Sequence, residues 1–145
     1  MPLNPGDAAP DFELMDQDME TVKLSDLKGG RVVLLFYPMD FSPVCTDEHC
    51  TFSPAKGDLF GDAKVFGVST DSPFSHKAYK EQYKIDYPLL ADVTREMVKS
   101  YDMYADGTPF NCGARGTVVI DADGKIEKWD KVEMGVTRST DQVKV

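Results

Sequence analysis

The sequence is short of the features that most often announce a function. Basic side chains are scarce: 16 Lys and Arg stand against 25 Asp and Glu, for a formal net charge of −9. So negative a chain lacks the clustered cations that neutralise phosphates, which argues against nucleic acid as a partner and against docking on anionic membrane surfaces. Long apolar runs are missing too. The longest covers residues 32–37, far below the ~20 residues of a membrane-spanning helix. The stretch Met1-Pro-Leu-Asn-Pro-Gly-Asp7 has no basic segment followed by an apolar one, so no signal peptide is expected and a cytoplasmic location is the default. Cysteine is limited to Cys45, Cys50 and Cys112. An odd, small number in a cytoplasmic chain favours reactive or buried thiols over a disulfide framework. There is no Gly-rich phosphate loop, low-complexity tract or repeat of solenoid length.

What remains is the composition of one folded unit. With 145 residues, 41% hydrophobic and 28% charged, the chain suits a single domain over residues 1–145 with one core. Strand-like and helix-like segments alternate, which predicts an α/β fold with a mixed central sheet flanked by helices. Residues 12–24 read as short extended pieces around a turn at Asp16-Gln-Asp18. Residues 31–37 read as a strand buried on both faces, closed by Pro38. A helix over residues 43–60 carries a fault near Pro54 and Gly57. A strand at 64–70 precedes a helix through Tyr83, with Ser72 as N-cap and Pro73 in the first helical position. A short strand at 87–91, a helix at 94–103 and a strand at 117–121 follow. A turn at Asp123-Gly124 returns the chain over 126–132, and a last, short helix starts near Thr140.

The chemistry concentrates in Phe36-Tyr-Pro-Met-Asp-Phe-Ser-Pro-Val-Cys45-Thr-Asp-Glu-His-Cys50. Read as a helix start, Ser42 is the N-cap, Pro43 the first helical residue and Cys45 the third. The Ser42 oxygen can then accept a hydrogen bond from the Val44 or Cys45 amide. The free amides and dipole of a first turn favour an anion, and a thiolate is such an anion. Asp40, Asp47 and Glu48 oppose this if they face the sulfur, so a nearby cation is required. Of the four arginines, Arg31, Arg95, Arg115 and Arg138, Arg115 opens the strand at 116–121, where a sheet edge can bring it to the site. A buried, inert thiol is the competing reading of Cys45.

These residues resemble the peroxiredoxin motif Pro-x3-Thr/Ser-x2-Cys, met by Pro38, Ser42 and Cys45. Gly6-Asp-Ala-Ala-Pro-Asp-Phe-Glu-Leu14, Leu24-Ser-Asp-Leu-Lys-Gly29, Val65-Phe-Gly-Val-Ser-Thr-Asp71 and Arg115-Gly-Thr-Val-Val-Ile-Asp121 extend the likeness from Gly6 to Val132. The resemblance implies a thioredoxin-like fold and a thiol peroxidase. Cys45 would be the nucleophile that becomes a sulfenic acid. Ser42 would bond the peroxide and Pro38 would shield the thiolate. Arg115 would stabilise thiolate and transition state, with Glu48 as its partner. No metal or organic cofactor is implied. The substrate would be a hydroperoxide, and the recycling partner a thioredoxin-like or glutaredoxin-like protein acting on a monomer or homodimer. The Cys-x4-Cys spacing is similar to the bacterioferritin-comigratory subgroup, in which the second thiol, here Cys50, resolves the sulfenic acid. Cys112 is the alternative resolving thiol.

Five residues apart on an intact helix, two Cα atoms lie ~8.6 Å apart, whereas a disulfide needs less than about 7 Å. The helix must therefore unwind for Cys50 to react, and Pro54 and Gly57 weaken its far end. The final helix looks short for the family. His49 and His76 read as surface side chains without a metal. Phe36, Tyr37 and Phe41 read as pocket lining or core, and Trp129 as a sheet residue. Two other functions stay open: a thiol–disulfide oxidoreductase, which usually shows Cys-x-x-Cys, and a non-catalytic redox sensor. The peroxidase reading needs the Arg115 side chain close to the Cys45 sulfur, and that sulfur within reach of solvent.

Overall fold

The structure is a computed structural model that describes residues 3–145. Met1 and Pro2, where the stretch read as lacking a signal peptide begins, lie outside the described residues. Two short strands, β1 (Glu13–Met15) and β2 (Thr21–Lys23), pair around the turn at Asp16. A 3-10 turn (Leu24–Leu27) leads into β3 (Val32–Phe36), and the chain continues through α1 (Pro43–Phe52), α2 (Lys56–Phe60) and β4 (Lys64–Ser69). Then come α3 (Pro73–Tyr83), β5 (Leu89–Ala91), α4 (Glu96–Ser100), β6 (Arg115–Ile120), β7 (Ile126–Val132) and the single turn α5 (Thr140–Val143). The seven strands form one mixed sheet in the order β2-β1-β5-β4-β3-β6-β7. β3, β4 and β5 run parallel, β6 pairs antiparallel with β3, and β7 pairs antiparallel with β6. This is the mixed sheet flanked by helices that the alternating pattern predicts.

The sheet separates two apolar layers, and β3 feeds both. Val32, Leu34 and Phe36 face one layer, with Met97 and Val98 of α4 and Tyr101. Val33 and Leu35 face the other, with Cys45 and Phe52 of α1, Leu59 and Phe60 of α2, Tyr79 of α3 and Val143 of α5. The two-residue period of a strand produces this division, and every side chain of β3 is buried. Continuous apolar sequence, rather than alternation, is therefore the mark of this central strand.

Several boundaries differ from expectation for local reasons. The predicted helix at 43–60 divides into α1 and α2 across residues 53–55, because Pro54 has no amide to donate. The predicted helix at 94–103 contracts to five residues. Arg95 and Asp102 adopt φ of +67° and +53°, and left-handed residues at both ends stop the helix. Ser72 caps α3 as expected, its oxygen accepting from the Ser75 amide at 3.1 Å. Trp129 is a β7 residue whose indole donates to the Tyr101 carbonyl at 2.9 Å.

β6 is held tightly at Gly116. A Cβ there would lie 2.6 Å from the Asp130 carbonyl oxygen of β7 and 2.5 Å from the Met103 sulfur. Met103 can move but the β7 backbone cannot. Gly116→Ala is expected to lower stability by about 1–3 kcal/mol, read as a shift of the urea midpoint at unchanged slope.

Candidate active site

α1 begins where the chain leaves the parallel edge of β3. Pro38 closes the strand, Phe41 turns the chain with φ of +65°, and Ser42 adopts the extended N-cap conformation with Pro43 first in the helix. The Ser42 carbonyl accepts the Thr46 amide at 3.0 Å. Its hydroxyl, however, does not cap the helix as expected. Oγ donates to the Met39 carbonyl at 2.7 Å, and no side chain caps the first turn of α1. The expected cap is thus replaced by a brace on the preceding loop, and the first-turn amides keep their pull on an anion.

Cys45, Glu48, His49 and Phe52 form the buried face of α1. Their spacing of three, four and seven residues is the signature of one helix side. The Arg115 side chain, entering from the first residue of β6, reaches this face. Its Nη2 donates to the Cys45 sulfur at 3.2 Å, its Nη1 pairs with Glu48 and its Nε donates to the Met134 carbonyl at 2.9 Å. The required proximity of guanidinium and sulfur is therefore met. Pro38, Ser42 and Arg115 also come together, lining a cavity of about 260 Å³ with Val44, Phe110 and Met134.

One possible opposing charge is removed here, and one requirement of the peroxidase reading is not met in the closed structure. Asp40 does not oppose the sulfur. Its carboxylate accepts from the Tyr37 hydroxyl at 2.6 Å and the Ser75 hydroxyl at 2.8 Å, and it pairs with His76 Nδ1 at 2.8 Å. Asp47 points to solvent. Nor does the sulfur open to solvent: Cys45 is fully buried, because the inner face of α1 packs it against the apolar layer beneath β3. Access for a reactant requires a displacement of the cavity wall, where Phe110 stands half exposed at the rim.

Arg138 is the site residue that sequence reasoning passed over. It is buried. Its Nε and backbone amide donate to Glu48 Oε2 at 2.9 and 2.8 Å, its Nη2 donates to Oε1 at 3.0 Å, and its Nη1 binds the Gly116 carbonyl and the Thr117 hydroxyl. Glu48 thus bridges two buried guanidiniums. Together these three side chains carry one net positive charge, and the sulfur of Cys45 lies where an anion would balance it. The available signal was scarcity: of four arginines, Arg31 and Arg95 serve surface contacts, and Arg138 lay past the last recognisable motif.

The histidines also correct the reading, since both are buried. His76 spends Nδ1 on Asp40 and Nε2 on the Leu90 carbonyl at 3.0 Å. The potential ligand atoms of Asp40, Asp71 and His76 lie within 4.8 Å of one another, but protein partners already occupy them. His49 packs among Tyr37, Tyr79 and Tyr87. The helical spacing that places Cys45 inside could have revealed His49 as well. Phe36 belongs to the core and Tyr37 to this aromatic cluster, while Phe41 stacks outside on Tyr79 at 4.9 Å. None of the three lines the cavity beside Cys45.

The other thiols differ in setting. Cys50 lies on the exposed face of α1, and Cys112 is buried in the loop before β6. Burial, then the nearby Asp71 carboxylate, pushes the Cys112 thiol up from its ordinary value. None of the three cysteines is in a disulfide.

Comparison with known proteins gives this geometry a family. Residues 5–129 match the AhpC/TSA family. The chain belongs to that family. It is 37% identical over 140 residues to "Peroxiredoxin Bcp" of Bacillus subtilis (strain 168), covering 92% of this chain and 89% of that one. It is 35% identical over 146 residues to "Thioredoxin-dependent peroxide reductase, mitochondrial" of Drosophila melanogaster, covering 93% of this chain and 62% of that one. The crystal structure of Enterococcus faecalis AhpC superposes with a TM-score of 0.86 at 27% identity, over 97% of this chain and 87% of that one. The AhpC/TSA domain here is a thioredoxin-like fold, and the chain is an oxidoreductase of the peroxidase class. Arg138 lies beyond the matched residues, which explains why motif reading stopped short of it.

Glu48 separates two like charges inside a low-dielectric site. Glu48→Ala is expected to cost about 3–5 kcal/mol, as for the loss of one partner from a buried ion cluster. Urea unfolding of the variant beside Glu48→Gln, which keeps the shape and one acceptor, measures it; the Gln form should lose less.

Proposed function

We propose that this chain reduces hydroperoxides through Cys45, with Cys50 closing the resulting sulfenic acid into a disulfide. The observation that carries the reading is the 3.2 Å contact between Arg115 Nη2 and the Cys45 sulfur. It lies beside a cavity whose wall includes Pro38 and Ser42. The thiolate of Cys45 attacks one peroxide oxygen in line, the O–O bond breaks, and the other oxygen leaves with a proton as water or alcohol. Negative charge moves from sulfur to the departing oxygen, and the Arg115 guanidinium is placed to stabilise it throughout. Ser42 orients the peroxide, Pro38 excludes bulk water, and Glu48 with Arg138 holds Arg115 in register. Cys45 is then a sulfenic acid.

Burial of Cys45 favours a small substrate. Admission past a displaced wall at Phe110 suits a small hydroperoxide better than a protein disulfide, which speaks for peroxidase chemistry over general thiol–disulfide exchange. In the second step the Cys50 thiol attacks the sulfenic sulfur, forming the disulfide and releasing water. A thioredoxin-like or glutaredoxin-like dithiol then reduces that disulfide; the Drosophila melanogaster relative is itself named as thioredoxin-dependent. Cys50 is exposed, whereas Cys112 is buried and its thiol is pushed up by burial, which supports Cys50 as the resolving group. The whole chain acts as one peroxidase domain.

Peroxide-driven thiol loss with mass spectrometry of the product tests the assignment. Cys45→Ser is expected to abolish reaction. Cys50→Ser should leave a Cys45 sulfenic acid that a carbon-acid probe captures, and Cys112→Ser should still close its disulfide. Peroxide consumption by Cys45→Ser at the wild-type rate would sink the proposal. Because both thiols sit on one intact helix, the disulfide also requires α1 to unwind. Amide hydrogen exchange should show α1 strongly protected in the reduced protein and protection lost over α1 in the oxidised one; equal protection in both states refutes the unwinding.

A further inference from the structure

Of the four buried side chains on α1, His49 has no part in the peroxide chemistry, yet it stands between the two thiols. Its ring is enclosed by three phenols: Tyr37, edge-on at 4.4 Å between centroids, Tyr79 at 5.6 Å and Tyr87 at 5.7 Å. Gly67 of β4 lies against the group: a Cβ there would lie 3.2 Å from Tyr37 Cε1, but its tightest contact would be Leu89 Cδ2 at 2.6 Å. Nδ1 shares a hydrogen bond with the Tyr87 hydroxyl. Nε2 is fully buried and has no hydrogen-bond partner among the described residues. Packing in the cage and the Tyr87 hydrogen bond hold the ring in place against the cost of that unpartnered atom, which water satisfies once the segment opens.

We propose that His49 is the latch of α1, a positioning residue whose caged ring holds the helix closed and whose release by acid assists formation of the Cys45–Cys50 disulfide. The inference rests on Cys50 as the resolving thiol. Cys50 faces solvent and its neighbour His49 faces the cage, so bringing the Cys50 sulfur to Cys45 re-coils residues 46–50 and draws the imidazole out. Closure itself is balanced without His49: sulfenic acid and thiol give disulfide and water, the oxidant being the hydroperoxide of the first step. The proton on His49 is taken up in the opening that precedes closure.

Charged and titratable groups face the ring from every element around it. Tyr79 and His76 come from α3, Tyr37 from the end of β3, and Tyr87 from the segment before β5. Arg115 comes from β6 and Arg138 from the segment before α5, and on α1 itself Glu48 is buried beside His49 while Cys50 is turned to solvent. Burial pushes the three phenols up, so they stay neutral. Burial first, then the Arg138 and Arg115 guanidiniums and His76, hold the His49 pKa down to about 3. In water the imidazole returns to ~6.5. Between these values the open form binds a proton that the closed form does not, so the opening equilibrium rises as pH falls below ~6.5, by up to about tenfold per unit. Above that value His49 contributes no pH dependence.

The test times disulfide closure by rapid quench and mass spectrometry after one equivalent of hydrogen peroxide, in wild type and in His49→Phe, which fills the cage without a polar atom. The ratio of their closure rates removes the pH effects that both proteins share and reports His49. The ratio of wild type to variant should rise about tenfold from about pH 7.5 to about pH 5.5. A Cys45–Cys50 disulfide with a flat ratio overturns the latch alone. A Cys45–Cys112 disulfide or a lasting sulfenic acid in wild type overturns the resolving role of Cys50, and the latch with it. His49→Leu serves if His49→Phe does not fold. A measurement on the reduced wild type needs no variant: α1 amide protection, corrected for intrinsic exchange and taken relative to α3, should fall about tenfold over the same interval. Unchanged relative protection overturns the proposal.

Discussion

One carboxylate held between two guanidiniums organises this molecule. Glu48 joins α1 to the head of β6 through Arg115 and to the segment after β7 through Arg138. Taking three charges out of water is costly, and the arrangement offsets it only because nearly every donor finds an acceptor. The Arg138 backbone amide joins the side chains in this, as do the Gly116 carbonyl and the Thr117 hydroxyl. Sheet, helix and C-terminal segment are thereby locked at one point. Because the three charges do not cancel, that point retains a demand for an anion, and the Cys45 sulfur is the group the fold sets against it. The stability of this site and the reactivity proposed for it trace to the same charge imbalance.

α1 meets two opposed requirements. Its inner face carries a different anchor at each turn: the thiol under Arg115, the bridging carboxylate, the caged imidazole and Phe52 in the apolar layer. Its termini are weak by comparison. No side chain caps its first turn, and Pro54 lies just past its last, where no amide can extend the hydrogen-bond ladder. A helix secured by side chains and weak at its ends can be firm in one state of its anchors and loose in another. The long alternative, a continuous helix through residue 60, would bury the same face but resist opening.

The fold was legible where one physical signal dominated. The unbroken apolar run of β3 declared a strand covered on both faces. Pro54 declared the division between α1 and α2, and the Ser-Pro pair at residues 72–73 declared the start of α3. The candidate site was legible through Pro38, Ser42, Cys45 and Arg115, which the family resemblance singles out and which lie together at the start of α1. What escaped depends on tertiary contact. Arg138 lies 90 residues from Glu48 along the chain, and nothing local distinguishes it from a surface arginine. Ser42 has the residue type of a cap, but its hydroxyl donates to the Met39 carbonyl and accepts from no first-turn amide. His49 and His76 are polar types whose burial depends on aromatic and carboxylate partners from other elements. Local sequence also placed Asp40 near the sulfur, whereas His76 and Tyr37 draw it away.

The charge imbalance also links the proposed chemistry to the proposed motion. With Cys45 ionised, the thiolate completes the electrostatics around Arg115, Glu48 and Arg138 and so favours the closed helix. A sulfenic acid at the same place is neutral. Oxidation then removes one anion from a buried group of charges, leaving Arg115 short of a partner where unpaired charge is most costly. The closed helix loses an anchor at the moment its opening becomes useful. The second anchor, the caged imidazole, answers to protons rather than to peroxide. Two anchors on adjacent turns of one helix, sensitive to different chemical events, allow the reduced helix to stay shut at neutral pH and to yield once the sulfur has reacted.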